Sequence, residues 1–183
     1  MARFSYEPLQ SSRAIRLIKF LPGPDPTCQI VTVEVEKAPP YIALSYTWGC
    51  KNLSRVILMN GAEIPITVNL AEAIDAIFIF VRERSMMFWA DSICINQADV
   101  HERSRQVRLM NTIYRSAEMV AIWLGPAAHD SDLAFDKMKE WKARFDGLKE
   151  QFDGSEELAA LRMICRRPWW KRAWIVQEGT IAN

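Results

Sequence analysis

The sequence predicts an α/β fold: a mainly parallel sheet with helices on both faces, preceded by an N-terminal β-hairpin. Three observations carry this expectation. Short apolar runs near residues 41, 88 and 119 read as buried strands, and helical periodicity separates them. That alternation implies parallel pairing with crossover helices. Ahead of it, residues 14–21 and 29–36 each alternate apolar and polar side chains around Pro22-Gly23-Pro24-Asp25-Pro26, which cannot continue a strand.

The elements follow in order. Pro39-Pro40 leads into Tyr41 to Tyr46, an almost continuous apolar run of the kind covered on both faces. Val56 to Met59 and Glu63 to Ile66 flank Asn60-Gly61, a dipeptide suited to a two-residue hairpin turn. Asn69 with Glu72 three residues later forms a capping pattern for a helix that carries Leu70, Ala73, Ile74, Ile77 and Val81 and ends near Arg84. Phe88 to Ile95 reads as a buried strand. Asp99 with Glu102 again marks a capped start, for a helix with Val107, Met110, Tyr114 and Ala117 on its apolar stripe. Met119 to Leu124, stopped by Gly125-Pro126, reads as a third buried strand. Asp130 or Ser131 caps a helix through Phe145, another helix spans Glu156 to Arg166, and Pro168 suits the first turn of a last one.

Composition bounds the class. With 183 residues, half of them apolar, the chain suffices for one domain, 1–183, of which residues 1–40 form the hairpin region. A net charge of +1 supplies no general field for nucleic acid. Arg162, Arg166, Arg167, Lys171 and Arg172 do cluster, either as a phosphate site or as a solvated helix face. Cys28, Cys50, Cys94 and Cys165 are scattered without a paired motif or a signal peptide, so free thiols in a reducing, cytoplasmic setting are expected. His101 and His129 lack ligand spacing, and no metal site is expected. The longest apolar stretch, Ala73 to Val81, contains Asp75 and falls far short of the roughly 20 residues that span a bilayer.

In a sheet of this kind ligands gather at the carboxyl ends of the strands. Ser45, Tyr46, Thr47 and Trp48 stand at one such end, and Gly49 permits a sharp exit from it. Asn96 and Gln97 stand at the next, with Asp91 one turn of pleat earlier. Asp91 is either a pocket acid or a buried carboxylate satisfied by backbone amides or by Arg105; Asn96 and Gln97 contact ligand or form the turn into the following helix. Cys94 reads as an inert buried thiol in preference to a nucleophile. Near the C-terminus, Trp174 and Glu178 stand at i and i+4, so in a helix they share a face, an indole beside an acid.

Three segments in fixed order give the chain a resemblance. Tyr41-Ile42-Ala43-Leu44-Ser45-Tyr46-Thr47-Trp48-Gly49 is the first. The second is Trp89-Ala90-Asp91-Ser92-Ile93-Cys94-Ile95-Asn96-Gln97, continuing through Glu102-Arg103, Gln106-Val107 and Tyr114 to Trp123-Leu124-Gly125. The third runs from Arg167-Pro168-Trp169-Trp170 to Trp174-Ile175-Val176-Gln177-Glu178. From about Ile15 to Glu178 the chain resembles the fungal heterokaryon-incompatibility (HET) domain, which is itself similar to TIR domains. That likeness implies a TIR-like, flavodoxin-like fold, part of a longer protein, and a cell-death function in fungal non-self recognition.

TIR enzymes that cleave NAD place their catalytic glutamate in a Trp-Cys-x-x-Glu segment. Trp174 and Glu178 have the same spacing, with Ile175 in the cysteine position. The resemblance therefore implies Glu178 as catalytic carboxylate, Trp174 or Trp48 stacked on the base, and NAD as substrate, with no bound cofactor. On the residues alone, the other reading is that Glu178 caps the helix or pairs with Arg172 or Lys171 while the tryptophans fill the core. A second expectation is a non-enzymatic module that self-associates through apolar residues such as Ile79, Phe80 and Trp141, under control of a regulatory region or partner protein, without membrane or nucleic acid.

Overall fold

The computed structural model describes residues 4–23, 27–50, 53, 55–145 and 155–172. They form two compact units, one reaching to Trp123 and the other spanning Leu124–Arg172.

The first unit holds a seven-stranded sheet. Its strands are β1 (Ala14–Phe20), β2 (Thr27–Glu34), β3 (Tyr41–Tyr46), β4 (Arg55–Met59), β5 (Ala62–Ile66), β6 (Met87–Trp89) and β7 (Met119–Trp123), in the spatial order β5-β4-β2-β1-β6-β3-β7. The two expected hairpins are present: β1 and β2 pair antiparallel from Ala14↔Glu34 to Phe20↔Cys28, and β4 and β5 pair around Asn60-Gly61. Both turn residues have left-handed φ, 51° and 76°, the backbone that an Asn-Gly turn supplies at least cost. Asn60 also receives the amide of Ile30 on Oδ1 at 3.1 Å, fastening the turn to β2.

The expected parallel strands are neighbours, with β3 between β6 and β7. The sheet as a whole is mixed, however, not mainly parallel: β2–β4, β3–β6 and β3–β7 are parallel, whereas β1–β2, β1–β6 and β4–β5 are antiparallel. Both hairpins have joined the same sheet, and hairpin strands are antiparallel by construction. Between the hairpin half and the parallel trio the register consists of one pair, Ile18↔Phe88.

Two helices cover opposite faces. Helix α1 (Val68–Glu83) brings Phe78 edge-on to Phe20, which stacks on Phe88 at 4.9 Å. Helix α3 (Val100–Ser116) brings Tyr114 edge-on to Trp89 at 5.6 Å, and its Ile113 carbonyl accepts the Tyr41 hydroxyl. Phe88 and Trp89 are successive strand residues and so point to opposite faces. Leu70, Ala73, Ile74 and Val81 on α1, and Leu109, Met110, Ile113 and Tyr114 on α3, are buried at helical spacing, each large aliphatic side chain contributing about 1.5–3 kcal/mol.

Several boundaries differ from expectation. The run 88–95 is not one strand: β6 ends at Trp89, and Asp91–Cys94 forms a short helix, α2. Thr67, not Asn69, caps α1, its Oγ1 accepting the amide of Leu70 at 3.3 Å. Asp99 caps α3 as expected through the amides of His101 and Glu102, but the Glu102 side chain turns inward. β7 is an edge strand with Met119 and Ile122 exposed, because an apolar run does not say how many neighbours it has. Phe80 is half-buried under the Arg84 guanidinium, 3.7 Å from its ring centroid, whereas Ile79 is exposed as expected. The side chain of Trp141 lies outside the described residues.

In the second unit, helices α4 (Ser131–Phe145) and α5 (Ser155–Cys165) meet through Ala134, Ala160 and Ile164. Arg167 organises the start of this unit. Its Nη1 donates to the carbonyls of Leu124, Gly125 and Pro126 at 3.0–3.1 Å, and Nη2 donates to that of Ala128 at 3.1 Å. Gly125 in this turn has φ 103°, a conformation that a side chain would strain. Pro168–Lys171 then makes a 3₁₀ turn where a longer helix was expected, and residues beyond Arg172 lie outside the described set.

Candidate functional site

The carboxyl ends of β6, β3 and β7 lie side by side, and side chains stitch all three together. At the end of β3, Ser45 and Tyr46 are buried, Thr47 is half-buried, and Trp48 is 43% exposed. Gly49 follows with φ 69°, where a side chain would be strained. The strand can therefore turn away sharply without burying the indole.

Asp91 follows β6 by two residues and opens α2. Its Oδ1 accepts the amide of Ser92 at 2.7 Å, and its Oδ2 accepts the indole N–H of Trp48 at 2.9 Å. The hydroxyls of Tyr46 and Ser92 hydrogen-bond each other beside it. Burial, reinforced by the Asp91 charge, holds the Tyr46 phenol well above its ordinary pKa, so Tyr46 stays neutral. On the other flank Asn69 donates through Nδ2 to the carbonyl of Thr47 and accepts the indole N–H of Trp123 on Oδ1 at 3.0 Å. One amide thus fastens the end of β7 to the exit of β3.

Beneath this edge lies a buried ion pair. Arg16 Nη1 and Nη2 donate to the two oxygens of Glu102 at 2.6 and 2.9 Å, and both side chains are almost wholly buried. Arg16 also donates to the carbonyls of Cys94 and Glu7, while Glu102 accepts the amide of Asn96 at 2.7 Å. Burial would raise the Glu102 carboxyl, but the bonds from Arg16 and Asn96 outweigh it and leave the pKa below the usual value. This network holds the segment that follows α2.

Asn96 and Gln97 serve that segment. Asn96 Oδ1 accepts the amide of Ala98 at 3.2 Å, and Gln97 Nε2 donates to the carbonyl of Asp91 at 2.9 Å, so both are turn residues that also set the position of the acid. Cys94 is buried, accepts the amide of Ala90, and has its thiol pushed up to about 12 chiefly by burial. That is an inert thiol. Trp174 and Glu178 fall outside the described residues.

Of the sequence candidates, then, Tyr46, Trp48 and Asp91 converge, Thr47 is held beside them, Asn96 and Gln97 support them, and Ser45 is buried in the sheet. Asn69, Ser92 and the Arg16–Glu102 pair were missed. In sequence Arg16 does not differ in kind from Lys19 of the same strand; Arg16 is buried and Lys19 exposed, and it is the burial that requires a partner. Of the basic cluster, Arg167 is committed to backbone carbonyls. The arrangement sets a carboxylate beside a partly exposed indole, with the buried Tyr46 hydroxyl and Ser92 bonded to each other next to them.

Comparison with known proteins bears on the same segments. The family model described as heterokaryon incompatibility protein (HET) matches residues 41–178, a stretch containing the strand ends, Asp91, Asn69 and the C-terminal motif. The chain belongs to the HET family. Heterokaryon incompatibility protein 6, OR allele, of Neurospora crassa is 31% identical over 226 aligned residues, which cover 96% of this chain and 33% of that protein. The chain thus spans about a third of the length of this curated HET relative. No solved structure matches. Among the described residues of this HET chain, no helix is long and apolar enough to cross a membrane.

Proposed function

We propose that this HET chain acts in fungal heterokaryon incompatibility and triggers cell death by hydrolysing NAD at the carboxyl edge of β6, β3 and β7. The observation that carries the reading is the convergence of Tyr46, Trp48 and Asp91 on that edge, built from the two motifs that lie farthest from Glu178 in sequence. In the reaction the bond from nicotinamide nitrogen to ribose C1′ breaks and a water oxygen bonds to C1′, giving nicotinamide, ADP-ribose and a proton. Positive charge develops on the ribose as the bond lengthens. Glu178 supplies the carboxylate that stabilises it, an effect that grows as water is excluded. Trp48 or Trp174 stacks on the base. The test is nicotinamide release from NAD by the concentrated chain, compared with Glu178→Gln. Loss in the variant is expected; full release by it overturns the assignment of Glu178, and no release from folded wild type overturns the hydrolase reading.

A second reading is a self-associating interaction module. Ile79 on α1, 66% exposed, together with Met119 and Ile122 on the edge strand, favours it. Light scattering across a concentration series tests it, and a strict monomer throughout counts against it.

A further inference from the structure

The side-chain bond between the exposed rims of β3 and β6 runs from Trp48 Nε1 to Asp91 Oδ2 at 2.9 Å, and its two partners are held very differently. Asp91 is seated: Oδ1 takes the Ser92 amide at 2.7 Å, its carbonyl takes Gln97 Nε2 at 2.9 Å, and Gln97 belongs to the segment fixed by Arg16 and Glu102. Trp48 has left the sheet, is 43% exposed, and precedes a glycine in the left-handed region. An indole carries one donor and no acceptor, so its entire polar capacity is directed at this carboxylate. Hydroxyl groups on a ligand would seek the same acceptor.

We propose that the Trp48–Asp91 bond is a latch on a diol-binding carboxylate. With no ligand bound, the indole covers the Oδ2 side of Asp91. A nucleotide bearing vicinal ribose hydroxyls displaces it, donates both hydroxyls to the carboxylate, and leaves the freed indole as a plate for its base. The proposal rests on the reading that this edge takes a nucleotide, and it names the group each residue grips. No covalent bond changes. One charge-assisted hydrogen bond is exchanged for hydroxyl donors of similar kind, so the latch lowers affinity for every ligand and is repaid only by one carrying a diol. Tyr46 and Ser92, hydrogen-bonded to each other beside Asp91, keep the carboxylate flanked by neutral hydroxyls while the exchange occurs.

The experiment is calorimetric titration of the 183-residue chain with ADP-ribose, for wild type, Trp48→Phe and Asp91→Asn. Phenylalanine keeps an aromatic plate at a half-exposed site but has no N–H. Trp48→Phe is therefore expected to bind ADP-ribose roughly five- to tenfold more tightly than wild type, the worth of about one hydrogen bond, and Asp91→Asn to lose binding. Equal or weaker binding by Trp48→Phe overturns the latch, as does undetectable binding by both it and wild type. A gain of affinity does not arise from misfolding, so the direction of the Trp48→Phe effect decides. Tighter binding by Trp48→Phe in a chain that releases no nicotinamide would sustain the latch and sink the hydrolase reading. Nicotinamide release with no tightening would do the reverse.

Discussion

Arg16 and Glu102, 86 positions apart in sequence, meet through two N–H···O bonds in the interior of the first unit. One comes from β1 in the hairpin half of the sheet and the other from the first turn of α3, so the pair joins the beginning of the fold to the segment that carries Asp91. Removing one partner leaves a buried charge without its counterion. Glu102→Gln is expected to cost about 3–5 kcal/mol and to lower Tm by on the order of 10 °C, measured by thermal unfolding at neutral pH.

The same pair sets an acid limit. The Glu102 carboxyl is held below its usual pKa in the folded chain, so its contribution is full above the unfolded value of about 4.3 and is lost as pH falls through the lower folded value. Wild type should therefore lose Tm more steeply than Glu102→Gln as pH falls below about 4.3. Parallel slopes for the two proteins would assign the acid sensitivity elsewhere.

Asn69 uses both ends of its amide, donating to Thr47 and accepting from Trp123. Asn69→Asp keeps the acceptor and loses the donor, so it should destabilise nearly as much as Asn69→Ala, each by about 1–3 kcal/mol in denaturant titrations. An innocuous Asn69→Asp would show that the Thr47 carbonyl does not need this bond.

The four cysteines should separate under a thiol reagent. Cys50 and Cys165 are exposed, whereas Cys28 and Cys94 are buried with thiols pushed up to about 12 by burial. Native protein is expected to titrate the first pair quickly and the second only on unfolding.

Trp48→Ala removes the plate as well as the N–H. If the edge binds the base of NAD, kcat/KM for nicotinamide release should fall about tenfold or more, the scale of one base–aromatic stack. An unchanged value would leave Trp174 as the stacking residue.

How far the sequence foretold this molecule depended on whether the deciding force was local. The hairpins were legible because Asn-Gly at 60–61 encodes its own turn geometry and the prolines after Leu21 stop a strand, and β3 because its run is apolar but for Ser45. The stretch 88–95 was misread because Ile93 and Cys94 are as apolar in a buried four-residue helix as they would be in a strand, and periodicity does not separate the two over so few residues. The mixed sheet was missed because nothing local tells a hairpin which edge it will join. Of the candidate residues, Tyr46 and Trp48 were placed from the end of β3, whereas Asp91 was placed near the end of a strand 88–95 and instead opens a short helix beside them. Asn69 looked like a helix cap, and only the fold shows that Thr67 does that work and frees Asn69 to bridge two strands.

The register between Ile18 and Phe88 has a mechanical consequence. Between the panel β5-β4-β2-β1 and the panel β6-β3-β7 the backbone pairing is a single residue pair, and there the Phe20–Phe88 stack and, by way of α3, the Arg16–Glu102 pair provide side-chain cohesion. The sheet is in effect two panels riveted along a seam by one shared core, so this line depends on side chains where the neighbouring strands depend on their backbones. Loss of the buried Arg16–Glu102 rivet would therefore be felt across the seam, in the Asn96–Gln97 segment on which Asp91 is seated.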